Sequence, residues 1–296
     1  MQNQPGWDLY RSFLAVLEAG SLSAAARDLG LAQPTLGRHI DALEHALGYA
    51  LFVRSQHGFM PTEQALQLRP YAAALASTAS ALLRAASSQA GEARGTVRIS
   101  VSEMVGCEVL PPILTALQQR YPALQVELVL SNRVQDLLKR EADIAVRMLR
   151  PTQQALVARR VGAIALGLHA RRDYLERRGM PATLADLAQH TLIGFDHENA
   201  FIRSVKHHLG ELRRDDFALR ADNDLAHLAY IRAGFGIGIC QCGLAARDPA
   251  LVRVLAGEFA IELDTWIAMH EDLRNSTRCS VVFDALAEGI SSYING

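Results

Sequence analysis

Three groups of residues in this chain carry side chains capable of chemistry. The first is Gln33, Pro34, Thr35 and Arg38, which open a helical period, with Ser23 in the short run before it. Arg38 brings a planar fork of donors, Gln33 and Thr35 can hydrogen-bond, and Pro34 offers an apolar edge to a thymine methyl. Together they suit base-edge readout in a major groove. A plain packed helical hairpin accommodates the same residues. The second group follows strand-like runs: Ser102 and Glu103 after TVRISV, Ser131 and Asn132 after VELVL, and Arg147 after ADIAV. Strand C-terminal ends, where helix N-termini offer free N–H groups, are where α/β proteins bind small molecules. Glu103 would repel an anion there and Arg147 would attract one, so the ligand's charge stays open. The third group is Cys240 and Cys242, with His197, His207 and His208. Cys-x-Cys on a strand directs both thiols to one face, yet no second ligand pair has zinc-like spacing. No Ser-His-Asp or nucleophilic cysteine arrangement can be argued, so no catalytic residue, metal or cofactor is expected.

The elements that must position these groups fall into zones. A length of 296 residues exceeds one average domain. Lys plus Arg total 30 against 31 Asp plus Glu, so overall charge points to neither nucleic acid nor membrane. No apolar run approaches the roughly 20 residues of a membrane span, and MQNQPGWDLYRSF lacks the basic start and apolar region of a signal peptide. The four cysteines lack a disulfide-framework spacing. These features predict a cytoplasmic protein with reduced thiols and no membrane partner.

In the first zone, Leu36, Ile40, Leu43 and Leu47 make one narrow helical face, with Pro34, Arg38 and Asp41 opposite. The preceding run starts at Ser23, an N-cap residue type, and stops at Gly30, which can take the left-handed C-terminal conformation. Two short helices around such a turn match a helix-turn-helix. Next comes an Ala- and Leu-rich stretch in which Leu68, Leu75 and Leu82 recur every seven residues, the spacing that keeps one seam toward a partner helix. Pro70 is expected to kink its first turn. From Gly91 onward, strand-like runs (TVRISVS, ALQVELVLS, ADIAVRM, AIALGLHA, HTLIGF, FGIGICQ) alternate with helical ones (VLPPILTALQQRY, VQDLLKRE, DLAHLAYIRAG). That alternation predicts an α/β architecture with a largely parallel sheet.

The stretch from Trp7 to Ala65 resembles the winged helix-turn-helix of LysR-type transcriptional regulators. The resemblance rests on Phe13, Ser21, Ala24 to Ala26, Leu29, Gln33-Pro34, Arg38, Ile40, Leu43-Glu44, Leu47-Gly48, Leu51-Phe52, Arg54 and Thr62-Glu63. It continues through Leu110-Pro111-Pro112, Tyr121-Pro122, Ala142 to Ala145 and Ala233 to Gly238, covering essentially the whole chain.

The resemblance implies an α/β protein with an N-terminal all-α winged helix-turn-helix (1–61), a linker and dimerisation helix (62–90), and a two-lobed α/β effector domain (91–296). That domain would resemble periplasmic solute-binding proteins, with lobe I at about 91–163 and 268–296 and lobe II at about 164–267. It also implies that Arg54 touches the DNA backbone beside the wing, that Ser102 touches effector, and that Phe201, Asn223 and Gln241 supply the second lobe's contacts. The partners it implies are double-stranded DNA, a small-molecule effector in the interlobe cleft, and further copies in a homodimer or homotetramer paired through Leu68, Leu75 and Leu82. It admits RNA polymerase as a contact, and it implies no enzyme activity.

Several features depart from that pattern. Ala32 stands where many members carry a capping Ser or Thr, a loss of roughly 1 kcal/mol. Gly37 replaces a common Ser, and the wing Ser55 to Met60 lacks basic residues. Residues 1–65 hold Arg11, Arg27, Arg38 and Arg54 against Asp8, Glu18, Asp28, Asp41, Glu44 and Glu63. Non-specific affinity comes from phosphate neutralisation, so weak non-specific binding and a shallow salt dependence follow. Gly234-Phe235-Gly236-Ile237-Gly238 follows a helix and leads into a strand, the reverse of a dinucleotide loop. Two alternatives remain: a cytoplasmic solute-binding receptor with a helical head, and a thiol- or redox-responsive regulator using Cys240 and Cys242, where relatives often have proline.

Overall fold

The structure, a computed structural model, describes residues 4–55, 58–86, 93–132, 142–151, 155–198, 202–203 and 212–296. They form two compact units, residues 4–86 and the remainder.

In the first unit, α1 (Trp7–Ala19) buries Phe13 and Val16. Helix α2 (Leu22–Leu29) is capped by Ser21, whose hydroxyl accepts the Ala24 N–H at 3.2 Å. Ser23 is therefore not the cap. Ser21 is the last extended residue, so Ser23 already lies in the first helical turn, exposed. Gly30 ends α2 at φ +67°, a conformation that costs other residues roughly 1 kcal/mol or more. Helix α3 (Gln33–Leu47) buries Leu36, Ile40 and Leu43, as its periodicity predicts. Leu47 is only partly buried against the same core. Each fully buried side chain of this size contributes about 1.5–3 kcal/mol, so the stripe holds α3 firmly on α1 and α2. A hairpin of β1 (Phe52–Ser55) and β2 (Gly58–Pro61) forms the wing, with Phe52 opposite Pro61 and Ser55 opposite Gly58. Helix α4 (Glu63–Ala86) follows. Thr62 starts it, accepting the Ala65 N–H at 3.2 Å while donating to the Ala50 carbonyl at 3.0 Å. Pro70 lies eight residues in, and the helix continues through it.

The second unit is built on a seven-stranded sheet in the order β10-β6-β11-β5-β3-β4, with β9 also paired to β6. Its strands are β3 (Gly95–Val101), β4 (Leu124–Leu130), β5 (Ile144–Arg147), β6 (Leu156–Arg171), β9 (Gly238–Gln241), β10 (Leu251–Val254) and β11 (Ile261–His270). The expected largely parallel sheet is corrected here. Only β3 with β4 and β3 with β5 are parallel, and the other pairings are antiparallel. The reason is connectivity. β6 leaves the β3-β4-β5 region and β11 returns alongside it, so the two long strands run in opposite directions from Ile261 opposite Leu166 to His270 opposite Leu156. A register shift between Thr265 and Trp266 faces Gly162 at φ +137°, where a Cβ would also press on Ile294 at 2.9 Å.

Short strands β7 (Leu192–Gly194) and β8 (Phe217–Arg220) pair in parallel as a separate sheet. Around the sheets lie α5 (Leu110–Arg120), α6 (Arg172–Arg178), α7 (Asp224–Arg232), α8 (Cys242–Ala245) and α9 (Thr277–Asn295). Val105–Val109 forms a π-helical turn leading into α5. The core runs from Val97, Ile99 and Val101 through Ile144, Ile164 and Leu166 to Leu228, Ile231 and Ile237, with Val282, Leu286 and Ile290 of α9. The glycine run after α7 is a packing turn: a Cβ at Gly236 would collide with the Thr191 carbonyl. VQDLLKRE lies outside the described residues.

Candidate functional site

Two sites take shape, one in each unit. In the first, α3 is anchored from behind. The buried Ser12 hydroxyl of α1 meets His39 Nδ1 at 2.8 Å, and the Leu36, Ile40 and Leu43 stripe faces the core. The outer side of the α3 start is open. Gln33, Pro34 and Arg38 are exposed, Thr35 is half-buried, and an Arg38 Nη2 donor stands 3.4 Å from Thr35 Oγ1. Ala32 at the N-cap supplies no side-chain acceptor; Pro34 has no N–H and the Thr35 N–H bonds the Ala32 carbonyl at 3.0 Å, so in the first turn the uncapped N–H is that of Gln33. A rigid helix with an uncapped, polar start can hydrogen-bond nucleic-acid bases or phosphates.

The wing is fixed to the same helix. Glu44, in the last turn of α3, accepts the backbone N–H of Leu51 at 2.6 Å and of Phe52 at 3.1 Å. This is the physical content of the Leu43-Glu44 pair: one residue enters the core and the next orients the hairpin. Arg54 lies in β1 opposite Phe59, but its side chain is outside the described residues. Leu68 packs against the first unit's own core, whereas Leu75 and Leu82 are 46% and 67% exposed and Leu83 is 69% exposed. The seven-residue seam therefore starts inside the unit and continues onto open surface.

In the second unit, several predicted effector residues converge. Glu103 starts the helical segment after β3, and its carboxylate accepts Nδ2–H of Asn223 at 2.5 Å. Asn223 is the N-cap of α7, its Oδ1 taking the Ala226 N–H at 2.9 Å. Asn132 Oδ1 accepts the Glu103 N–H at 3.3 Å. Ser102 sits half-buried beside them, and the Ser131 N–H bonds the Val101 carbonyl at 2.9 Å. Residues 120 positions apart thus meet where the start of α7 faces the end of β3.

Arg147 is engaged at the strand ends. Its Nη1 donates to the carbonyls of Ser100 at 3.0 Å and Val146 at 2.8 Å, and Nη2 donates to Ser100 Oγ at 2.8 Å. Gln241 is buried and accepts the Tyr293 hydroxyl at 2.7 Å. Phe201, like His207 and His208, lies outside the described residues.

Residues that the sequence reading did not single out complete this region. Glu108 and Arg232 form a two-pronged ion pair at 2.9 Å on each oxygen, and Arg247 donates to the Glu108 carbonyl at 2.8 Å. The Arg232 hydrogen bond holds the Glu108 carboxyl below the usual carboxylate range. No local signal marks this pair, because its partners lie on separate elements. Asp224 is the first residue of α7, and burial pushes its carboxyl upward, with His227 opposing the shift and Glu103 adding a smaller part to it. Its place beside a capping asparagine was the available clue.

The sulfur group does not form the expected strand arrangement. β9 ends at Gln241, so Cys242 opens α8 and the two thiols do not share a strand face. Cys240 is 3% exposed, its sulfur 3.3 Å from His169 Nδ1. Burial pushes the Cys240 thiol up to about 12 and lowers His169 to about 4. Burial also raises Cys242. Thiols held protonated are poor nucleophiles and poor metal ligands, so nothing here favours the redox alternative. His197 instead joins Asp196 and Asp222, exposed, with His197 Nδ1 2.6 Å from Asp222. Among the described residues, no helix is long and apolar enough to cross a membrane.

A winged helix-turn-helix with an open recognition-helix start, a long helix and a two-lobed α/β binding domain together define a one-chain DNA-binding regulator. Comparisons with known proteins agree. The family profile of the LysR substrate binding domain matches residues 90–291, and that of the bacterial regulatory helix-turn-helix protein, lysR family, matches residues 7–66. This chain belongs to the LysR family.

An HTH-type transcriptional regulator of Xanthomonas campestris pv. campestris (strain 8004) is 30% identical over 198 residues, covering 65% of this chain and 58% of that protein. The probable HTH-type transcriptional regulator LtrA of Klebsiella pneumoniae is 26% identical over 286 residues, covering 94% and 93%. Among solved structures, full-length CbnR in complex with its target DNA aligns at TM-score 0.65 and 21% identity, covering 97% of this chain and 99% of CbnR. The Vibrio cholerae virulence activator AphB aligns at TM-score 0.62 and 22% identity, covering 96% and 99%.

Proposed function

We propose that this protein is a DNA-binding transcriptional regulator whose promoter binding or activation responds to a small molecule held between the two lobes of its second unit. The observation that carries the reading is the α3 start. Gln33, Pro34, Thr35 and Arg38 sit open on a helix whose other side is locked into the core. On this reading Arg38 and Gln33 read bases, Ser23 and Arg54 hold phosphates, and Pro34 and Thr35 complete the surface. The exposed Leu75 and Leu82 favour pairing of α4 with a second copy, and pairs of dimers would give a homotetramer. The two-lobed fold supports lobe I at about 91–163 and 268–296 and lobe II at about 164–267, with Ser102, Glu103, Ser131, Arg147, Phe201, Asn223 and Gln241 around the effector. The protein works in the cytoplasm, without enzyme activity, and contacts RNA polymerase when activating.

The test begins with selection of bound sequences from random duplexes, followed by fluorescence anisotropy on the winner. Sequence-selective binding that is lost in Arg38→Ala and kept in a Leu149→Ala surface control supports the reading. Equal affinity for winning and scrambled duplexes would sink it.

A further inference from the structure

Arg278, in the first turn of α9, is a buried cation without a counter-charge. It is 2% exposed, and its Nε and Nη1 are enclosed with no hydrogen-bond partner. Among the described residues it is the one buried residue whose side-chain nitrogens are orphaned in this way, and none of them forms an ion pair with it. The acidic residues nearest to it in the chain, Glu271, Asp272 and Asp284, are exposed, and Asp272 stands 3.3 Å from His270 Nδ1. A guanidinium does not shed its proton in a protein. An unpaired charge taken out of water is strongly unfavourable, so a native fold supplies such a group with a partner.

The surroundings of Arg278 fit an anion as that partner. It is the second residue of α9, a helix of 19 residues. Ser276 at the N-cap makes no side-chain hydrogen bond, and the first turn holds no acidic residue. The helical ladder begins with the Ser280 N–H on the Ser276 carbonyl at 2.9 Å, so the Thr277 and Arg278 N–H groups stand ahead of it. Helix side chains lean toward the N-terminus, which carries the Arg278 fork back toward those N–H groups. The positive end of the helix dipole and a permanently charged fork therefore coincide.

We propose that the start of α9 is a site for a small oxyanion, phosphate or sulfate, held by the Arg278 guanidinium and the first-turn N–H groups. The planar fork matches two oxygens of such an ion. The exposure of Arg278 sets the size of the occupant: an inorganic ion reaches so enclosed a group, and a larger metabolite does not. The ion would anchor the helix whose other end sets Tyr293 on Gln241 and Ile294 against Gly162. None of the residues assigned to the effector takes part, so the site stands or falls apart from that reading.

The test is isothermal calorimetry and thermal unfolding of the full-length chain in Tris buffer at constant ionic strength, with phosphate or sulfate exchanged for chloride. Trp266 fluorescence in a Trp7→Phe background follows the second unit. One oxyanion per chain is expected to bind, and at ten times its Kd to raise the Tm of that unit by about 3–6 °C. Arg278→Met should abolish both the binding and the rise. Arg278→Lys keeps the charge and loses the fork, and should bind about tenfold more weakly; it decides the matter should the Met variant fail to fold.

The proposal is overturned if wild type binds neither oxyanion at millimolar concentration. It is also overturned if either variant binds as tightly as wild type, since the ion then sits elsewhere. Dissociation of the oligomer in Arg278→Met, seen by size-exclusion chromatography with light scattering, together with no oxyanion binding by wild type, would assign the counter-charge to a second copy of the chain and refute the ion site.

Discussion

The sharpest energetic test in the first unit is Glu44. Its carboxylate takes the N–H groups of Leu51 and Phe52 at 2.6 and 3.1 Å, and both residues are buried. In Glu44→Ala those two donors lose their acceptor at a place water reaches poorly. A buried donor left unsatisfied costs about 1–3 kcal/mol, so two of them, partly rehydrated, amount to roughly 3 kcal/mol. For a unit of this size, about 3 kcal/mol corresponds to a Tm decrease of roughly 12–24 °C. Glu44→Gln keeps one oxygen and should recover at least half of the loss.

Trp7 lies in the first unit and Trp266 in the second, so Trp7 fluorescence in a Trp266→Phe background reports the first unit alone. The assay is thermal unfolding of wild type, Glu44→Ala and Glu44→Gln in that background. An Ala variant as stable as wild type would refute the argument that this carboxylate seats the wing. So would a Gln variant as unstable as the Ala variant.

Four further outcomes follow from the geometry. Arg38→Ala should lower affinity for the selected duplex roughly tenfold or more, with scrambled DNA less affected; anisotropy on both duplexes decides it. The acidic balance of residues 1–65 predicts a shallower salt dependence per subunit than a protein with many phosphate contacts shows, measured as log affinity against log salt; a steep slope would contradict it. Glu108 is held below its ordinary value by Arg232, so the stabilisation from this pair is full above the ordinary glutamate range and fades as pH falls through the lowered folded value. Thermal melts of the second unit should therefore lose stability on acidification, and Glu108→Gln should flatten that dependence. Finally, a thiol-specific dye should label exposed Cys107 first in the native protein, whereas buried Cys240 and Cys279 should react only on unfolding. Peptide mapping of early labelling at Cys240 would reopen the redox reading.

The helix-turn-helix was readable in the sequence because its determinants are local. The Leu36, Ile40 and Leu43 spacing, Gly30 and the polar α3 start act within a few residues of one another, and a helix converts spacing into direction directly. The exchange of Ser23 for Ser21 as the cap shows the precision of such a reading, since neighbouring serines are equally good caps and only backbone conformation separates them.

The sheet order was not readable. β11, IELDTWIAMH, has Glu262 and Asp264 interrupting its apolar residues, because its first part has one face in solvent. Its antiparallel partner β6 lies about a hundred residues earlier, so strand direction became known only once the chain had gone out and come back. The same holds for the cleft. The sequence could nominate Ser102, Glu103 and Arg147 at strand ends, but it left the sign of the ligand open between Glu103 and Arg147. Only the tertiary structure shows that Arg147 is held on Ser100 and that Glu103 accepts the amide of Asn223, 120 positions away. Charge balance at a site is a sum over through-space neighbours, and sequence order does not record which residues those are.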